Sequence, residues 1–143
     1  MNLSNSWLVF ACGSAFFAAA TALLGKLGVA EINSNLATAI RTMVILILAC
    51  GLVTARHEWQ VPDKISAYGV TMLVLSGLAT GFSWLCYYRA LQLGPASKVA
   101  PVDKLSVVMV ILGAAVFLGE SLSWKTALGG VLITLGVVLT ILP

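Results

Sequence analysis

Three charged residues lie well inside two long apolar runs of this sequence, beyond Lys98 at the start of the second, and are the first candidates for chemistry. Arg41 lies within residues 36–54, and Asp103 and Lys104 lie within residues 96–118. Charged side chains inside a bilayer are costly, face the protein interior or a water-filled cavity, and pair with one another. If both runs cross a membrane, these residues predict either a polar functional site or an ion pair that joins two helices.

The composition indicates a membrane protein. Of the 143 residues, 60% are hydrophobic and 9% are charged, and the mean hydropathy is +1.04. A soluble domain carries about a quarter charged residues. This chain has too few charges to cover its surface, so the lipid bilayer is its expected solvent. The formal net charge of +3 is small and does not indicate a nucleic-acid partner.

Five apolar runs are long enough to cross a bilayer as helices, which needs about 20 residues each. The predicted spans are residues 7–29, 36–54, 65–91, 96–118 and 126–142. They leave only short connections between them. We therefore predict an all-α membrane protein with five transmembrane helices, forming a single domain over residues 1–143.

Loop cations are evenly divided between the two membrane faces. If the N-terminus defines side A, each side holds three: Arg56, Lys64 and Lys125 on side A, and Lys26, Arg89 and Lys98 on side B. Positively charged loops favour the cytoplasm. Counting Arg41 and Lys104 toward side B favours B as the cytoplasmic face. The near balance also predicts dual topology, in which copies insert in both orientations.

The second and fourth spans both enter the membrane from side B, so Arg41 and Asp103 are expected at nearly the same depth. Arg41 is roughly 9 Å into its helix at 1.5 Å per residue. An Arg41–Asp103 pair would offset most of the cost of burying both charges. Other charges are expected at the same face: Lys26, Glu31, Arg89, Lys98 and Lys104. The pair is either a lock between helices or part of a gate, and Lys104 can also extend to the headgroups.

Small residues and one proline predict how the helices pack. Gly77 and Gly81 form a GxxxG motif, typical of close helix approach within one chain or between chains. Gly25 ends a stripe of small residues on the first span. Pro101 removes one helical hydrogen bond, so it predicts a hinge or a plain kink in the fourth span.

Catalytic and metal-binding motifs are not found. The sequence has no phosphate-binding glycine loop, HExxH, G-x-S-x-G or CxxC. Cys12, Cys50 and Cys86 lie far apart within apolar runs, and His57 is the sole histidine. We therefore expect no enzyme activity, no cofactor and no metal site.

Three segments together resemble the EamA domain of the drug/metabolite transporter superfamily. They are residues 35–42 (NLATAIRT), 90–101 (ALQLGPASKVAP) and 117–123 (FLGESLS), the last followed by Gly129 and Gly130. The resemblance covers essentially the whole chain. The chain is similar to the single-domain, five-helix form of the family. It implies secondary transport of small metabolites or amphipathic compounds across the cytoplasmic membrane, without naming a substrate. The membrane-embedded glutamate in the first helix of the small multidrug transporters has no counterpart here.

The resemblance also implies how the spans are used. Most members hold two such domains in ten helices, so this chain is expected to act as half of an inverted-repeat transporter. An antiparallel homodimer is favoured, while a parallel dimer or a second half-transporter remain alternatives. A non-transporting membrane assembly or accessory subunit is the rival function, and it predicts a dry centre.

The charges within the membrane and the spacing of side chains on the third span give the candidate roles of individual residues. Those expected at a gate or cavity mouth are Arg41, Arg89, Lys98, Asp103 and Lys104. Ser83, Trp84 and Tyr88 of the third span are expected on the wall that meets a small-molecule substrate.

Overall fold

The computed structural model of the chain describes residues 6–60 and 65–142, and within these ranges the only regular elements are helices. There are six: α1 (Ser6–Glu31), α2 (Ser34–Ala55), α3 (Ala67–Leu93), α4 (Ala96–Asp103), α5 (Leu105–Phe117) and α6 (Trp124–Ile141). The predicted all-α fold is confirmed. The predicted loop cation Lys64 lies outside the described residues.

Five apolar stretches of these helices are long enough to cross a membrane: Trp7–Glu31, Ser34–Ala55, Ala67–Leu93, Ala96–Phe117 and Trp124–Ile141. Every end falls within two residues of the predicted spans. Large apolar side chains are exposed along them, including Phe10 at 78% and Leu48 at 71%. Contiguous apolar surface of this extent is unsuited to water. The chain is a multi-pass membrane protein.

Local hydrogen bonds satisfy the helix ends at the tight connections α1–α2 and α5–α6. Only Ile32 and Asn33 separate α1 from α2, and the Asn33 Oδ1 accepts from the backbone N–H of Asn35 at 2.9 Å. Such side-chain caps satisfy the first amide groups of a helix. After α5, Gly119 adopts φ +68°, a left-handed conformation that favours glycine. There the Glu120 N–H returns to the Ala114 carbonyl at 3.2 Å, which ends the helix.

The fourth span is interrupted at Lys104, between α4 and α5. The Lys104 N–H bonds to the Pro101 carbonyl and the Val107 N–H bonds to the Lys104 carbonyl, both at 3.0 Å. These are tighter, three-residue turns of the 3₁₀ type. The Ser106 hydroxyl donates to the freed Asp103 carbonyl at 2.7 Å. Pro101 itself lies inside α4, three residues before the interruption, and its role as a hinge stays a prediction.

The chain divides into two compact units, with one boundary inside α1 and the other just before the last residue of α3. The α4–α6 unit contains Met1–Ala22 and Leu93–Pro143, and the α2–α3 unit contains Leu23–Gln92. In the α4–α6 unit, α6 packs on α4 and α5. Gly130 is buried there, because a Cβ at this position would already touch Ile111 and Val108 at 3.8 and 3.9 Å. The prediction that residues 1–143 form one domain stays a prediction.

Candidate functional site

Arg41 stacks on Trp84 inside the α2–α3 unit. Arg41 is seven residues from the start of α2, or about 10 Å along its axis. Its guanidinium carbon lies 3.4 Å from the centroid of the Trp84 ring, and both side chains are half-buried. A guanidinium over an indole face is held by cation–π attraction and by stacking of two planar groups. At 3.4 Å a planar guanidinium can only lie flat on the ring, so the contact sets its plane and its N–H groups point parallel to the indole face.

Two tyrosines on α3 support the Trp84 ring. Tyr87 and Tyr88 follow it by three and four residues, the spacing of neighbours on a helix surface. Their ring centroids lie 5.3 Å and 5.5 Å from that of Trp84, at interplanar angles of 78° and 86°. Edge-to-face pairs of this kind contribute about 0.5–1.5 kcal/mol beyond area burial. Tyr88 is also near enough to Arg41 to interact with it electrostatically.

The ring of Tyr88 packs against Gly25 of α1, where there is no room for a side chain. A Cβ built on Gly25 would lie 3.1 Å from Tyr88 Cε1 and 3.3 Å from its Cζ. Such distances are shorter than ordinary van der Waals contact. Tyr88 is only 5% exposed, so its ring has little room to retreat. The predicted close packing at Gly25 therefore serves an aromatic side chain of the candidate site.

Side chains tie the ends of α1 and α3 together, an arrangement that we call the end clamp (Lys26, Arg89 and Gln92). The Lys26 ammonium donates to the Leu91 carbonyl. In return, the Gln92 amide donates to the carbonyls of Val29 at 3.2 Å and Ile32 at 3.1 Å. Arg89 completes the clamp by donating to the Gln92 Oε1 at 3.0 Å.

The end clamp supplies hydrogen-bond donors to carbonyl groups at the ends of both helices. The last carbonyls of a helix lack intrahelical donors and carry partial negative charge. Here α1 supplies a cation to the end of α3, and α3 supplies an amide to the end of α1. The clamp holds the two helices that contribute Gly25 and the aromatic cluster.

Hydroxyl groups near Arg41 on α2 are satisfied within the helix. The Thr38 hydroxyl donates to the Ser34 carbonyl and the Thr42 hydroxyl to the Thr38 carbonyl, both at 2.8 Å. Ser34 and Thr38 are buried. The hydroxyl donors of Thr38 and Thr42 are used within the helix, so this face of α2 is polar without holding a further charge.

The charges of the fourth span form their own pair in the α4–α6 unit. The Lys104 Nζ lies 3.3 Å from the Asp103 Oδ2, with side-chain exposures of 56% and 38%. A pair this exposed adds about 0–1 kcal/mol to stability. Lys98 is exposed on α4. The predicted Arg41–Asp103 pair would join residues of different units, and it stays a prediction, as does a gate.

The EamA-like transporter family matches residues 5–142. The chain belongs to the EamA-like transporter family. A relative from Sinorhizobium sp., described as an uncharacterized transporter in the cobO 3′ region, is 51% identical over 137 residues. The match covers 96% of this chain and 97% of the relative. No solved structure matches the chain.

Membership of the EamA family confirms the resemblance in the sequence and supports a role in transport. Because the family consists of transporters, enzyme activity is not expected of this EamA chain. Among the described residues there is no group of three or more His, Cys, Asp or Glu side chains that could hold a metal ion. Cys12, Cys50 and Cys86 are free thiols.

The glycine motif of α3 faces open space within its own unit of this EamA chain. Apart from the adjoining backbone of α3 itself, no described atom of the α2–α3 unit lies within 4 Å of a Cβ built on Gly77 or Gly81. Neighbouring Ser83 is exposed. Their roles in helix packing and in meeting substrate stay predictions.

Sequence reasoning named Arg41, Trp84 and Tyr88 but missed two features of the site. It did not foresee that the guanidinium of Arg41 lies on the indole of Trp84, and it gave Gln92 no role beyond its place in the segment 90–101. Gln92 lies two residues before the Gly94–Pro95 pair that ends α3. A polar amide in the last turn before such a helix stop is the signal that predicts a capping role.

Proposed function

We propose that this EamA chain carries small molecules across the cytoplasmic membrane by alternating access, with two copies forming one transporter. Family membership and the relative described as a transporter support the general role. The five spans amount to one repeat, and inverted-repeat transporters bind substrate between two. A second copy supplies the missing repeat.

The observation that carries this proposal is the Arg41–Trp84 stack. Arg41 lies about a third of the way along α2, and arginines within a spanning segment are costly enough that they mark substrate pathways by default. This one is preorganised by an aromatic ring that is itself braced by Tyr88. A side chain needed only to reach the headgroups would not require a fixed plane.

An antiparallel arrangement of the two copies is supported by the balance of loop cations. Neither membrane face has a charge excess strong enough to impose one orientation. Opposite insertion of identical chains produces the inverted symmetry that the transport cycle uses. Asp103, Lys104 and Lys98 would then lie near the mouth of the path, together with Arg89.

Flux from proteoliposomes tests the proposal directly. Purified protein is reconstituted in liposomes preloaded with a mixture of acidic, neutral and basic metabolites, and efflux is followed by mass spectrometry. At least one solute should leave faster than from protein-free liposomes, and Arg41→Gln should slow it. Arg56→Gln is the matched control, because Arg56 ends the same helix and lies 3.9 Å from Glu58. Equal efflux of every solute with and without protein would favour the accessory-subunit alternative.

A further inference from the structure

Arg41 differs from the other described cations of the α2–α3 unit, because none of its N–H groups donates to a described acceptor of that unit. Among the described residues of that unit, Lys26 donates to a backbone carbonyl, Arg56 pairs with Glu58, and Arg89 donates to Gln92. Arg41 contacts the face of Trp84, which uses the π surface of the guanidinium and none of its N–H groups. Its hydrogen-bonding capacity is therefore unspent within its unit.

The geometry of an arginine fork selects the ligand chemistry. A guanidinium presents its donors in one plane and binds a carboxylate through two parallel hydrogen bonds. The stack on Trp84 sets that plane before any ligand arrives, which lowers the entropic cost of binding. Bonds between two charged groups are about twice as strong as neutral ones.

The charged and aromatic residues around Arg41 narrow the chemical class of the ligand further. At the end of the unit that holds Arg41, the described charged residues are Lys26, Arg41 and Arg89 against Glu31. Lys26 and Arg89 already donate within the end clamp, so the ligand is matched to Arg41 alone. A single negative charge would neutralise Arg41, whereas a phosphate dianion would bring a second charge that Arg41 does not balance in a low-dielectric site. Trp84 and Tyr88 offer apolar ring surface beside the fork.

We propose that Arg41, held against Trp84, binds the carboxylate of an organic monoanion with an apolar body. This inference rests on the proposed transport function, since it names the substrate class of the same site. The site takes up the anion from the side B face, where the end clamp lies. An anionic lipid offers the same charge through its phosphate, so the test separates the two sources.

Binding is measured by isothermal titration calorimetry on the purified protein in a neutral detergent. The probe is benzoate, compared with its uncharged analogue benzamide and with benzylammonium. Benzoate should bind at least about tenfold more tightly than either, as loss of a charged hydrogen bond implies. Benzamide binding as tightly as benzoate, or no benzoate binding, would overturn the inference.

Variants assign the binding to Arg41. Arg41→Gln should weaken benzoate binding by about tenfold or more, and Arg41→Lys should fall between, because it keeps the charge and loses the fork. Arg56→Gln should bind as the wild type does. If Arg41→Gln does not fold, Arg41→Lys and Trp84→Leu decide, and wild-type affinity in both rules the site out.

Lipid competition is tested in nanodiscs of phosphatidylcholine with and without phosphatidylglycerol, at a salt concentration that screens surface charge. Unchanged benzoate affinity supports a soluble anion. Displacement of benzoate by phosphatidylglycerol means that a lipid phosphate occupies Arg41, which overturns the proposal.

The flux assay separates failure of this inference from failure of the transport function. Efflux of neutral or basic solutes without Arg41-dependent benzoate binding leaves transport standing and overturns the anion site. Arg41-dependent benzoate binding without efflux of any solute supports the site and contradicts transport.

Discussion

The side-chain ammonium of Lys26 in α1 donates a hydrogen bond to the backbone carbonyl of Leu91 near the end of α3. Gln92, the next residue of α3, donates in the opposite direction to two carbonyls of α1. The two helices thus cap each other. This exchange holds α1 beside the aromatic cluster that carries Arg41, so it links the stability of the helix ends to the geometry of the site.

Replacing Gln92 by alanine should destabilise the protein. Its amide makes two hydrogen bonds to carbonyls and its oxygen accepts one from Arg89. At about 1 kcal/mol for each net bond, the expected loss is about 2–3 kcal/mol. Thermal unfolding in detergent measures it, with Gln60→Ala in the exposed segment after α2 as the control. Equal unfolding temperatures for the two variants would show that the end clamp adds nothing.

Gly25→Ala and Gly28→Ala should have opposite effects, although they lie three residues apart on one helix. Alanine gains about 1 kcal/mol over glycine in a helix interior. A Cβ at Gly28 meets nothing within 4 Å, so that gain should be realised. At Gly25 the Cβ would press on the buried ring of Tyr88, so Gly25→Ala should unfold at a lower temperature than Gly28→Ala. Adding Tyr88→Leu should reduce the difference, and an unchanged difference would contradict the proposed contact.

Arg41 and Asp103 allow a test of whether the predicted pair locks the bundle. The unfolding free energies of Arg41→Ala, Asp103→Ala and the double variant give a coupling energy. If the two residues formed a buried pair, removing either partner should lower the free energy of unfolding by about 3–5 kcal/mol. Because Asp103 already lies beside Lys104, we expect a coupling close to zero. Rescue of two unstable single variants by the exchange Arg41→Asp with Asp103→Arg would instead establish a structural pair.

Cysteine cross-linking should reveal whether Gly77 and Gly81 meet another copy of the chain. Both lie near the middle of α3 and face open space within their unit. In a background with the three native cysteines replaced by alanine, Gly81→Cys should form a cross-linked dimer in native membranes. Gly69→Cys, near the start of α3, serves as the orientation control. It should cross-link if the two helices run parallel and fail if they run antiparallel.

The spans were predictable because hydrophobicity alone sets where a chain can enter lipid. Their ends depend on where the apolar runs stop, and these were correct within two residues. The interruption at Lys104 was harder to foresee, because a proline is the residue expected to break a helix and Pro101 lies three positions earlier. Its missing N–H is tolerated inside α4, while the tighter turn forms where Ser106 can satisfy the Asp103 carbonyl.

The contacts of the site were less accessible from the sequence. Reasoning from charge looks for an acid to accompany Arg41, and an aromatic face carries no formal charge to attract attention. Gln92 was missed for a similar reason, because its acceptors are backbone carbonyls rather than recognisable side chains. Trp84 and Tyr88 were found because helical spacing alone places them on one face of α3.

The use of main-chain oxygen atoms in the end clamp determines which positions evolution can vary. Lys26 and Gln92 bind groups that every amino acid possesses, so the clamp makes no demand on side-chain identity at Val29, Ile32 or Leu91. Burial still restricts the side chains allowed at Val29 and Leu91. Ile32 is exposed, so neither burial nor the clamp restricts its side chain. Divergent sequences can therefore keep this junction by preserving two donors, while the residues that receive their hydrogen bonds drift.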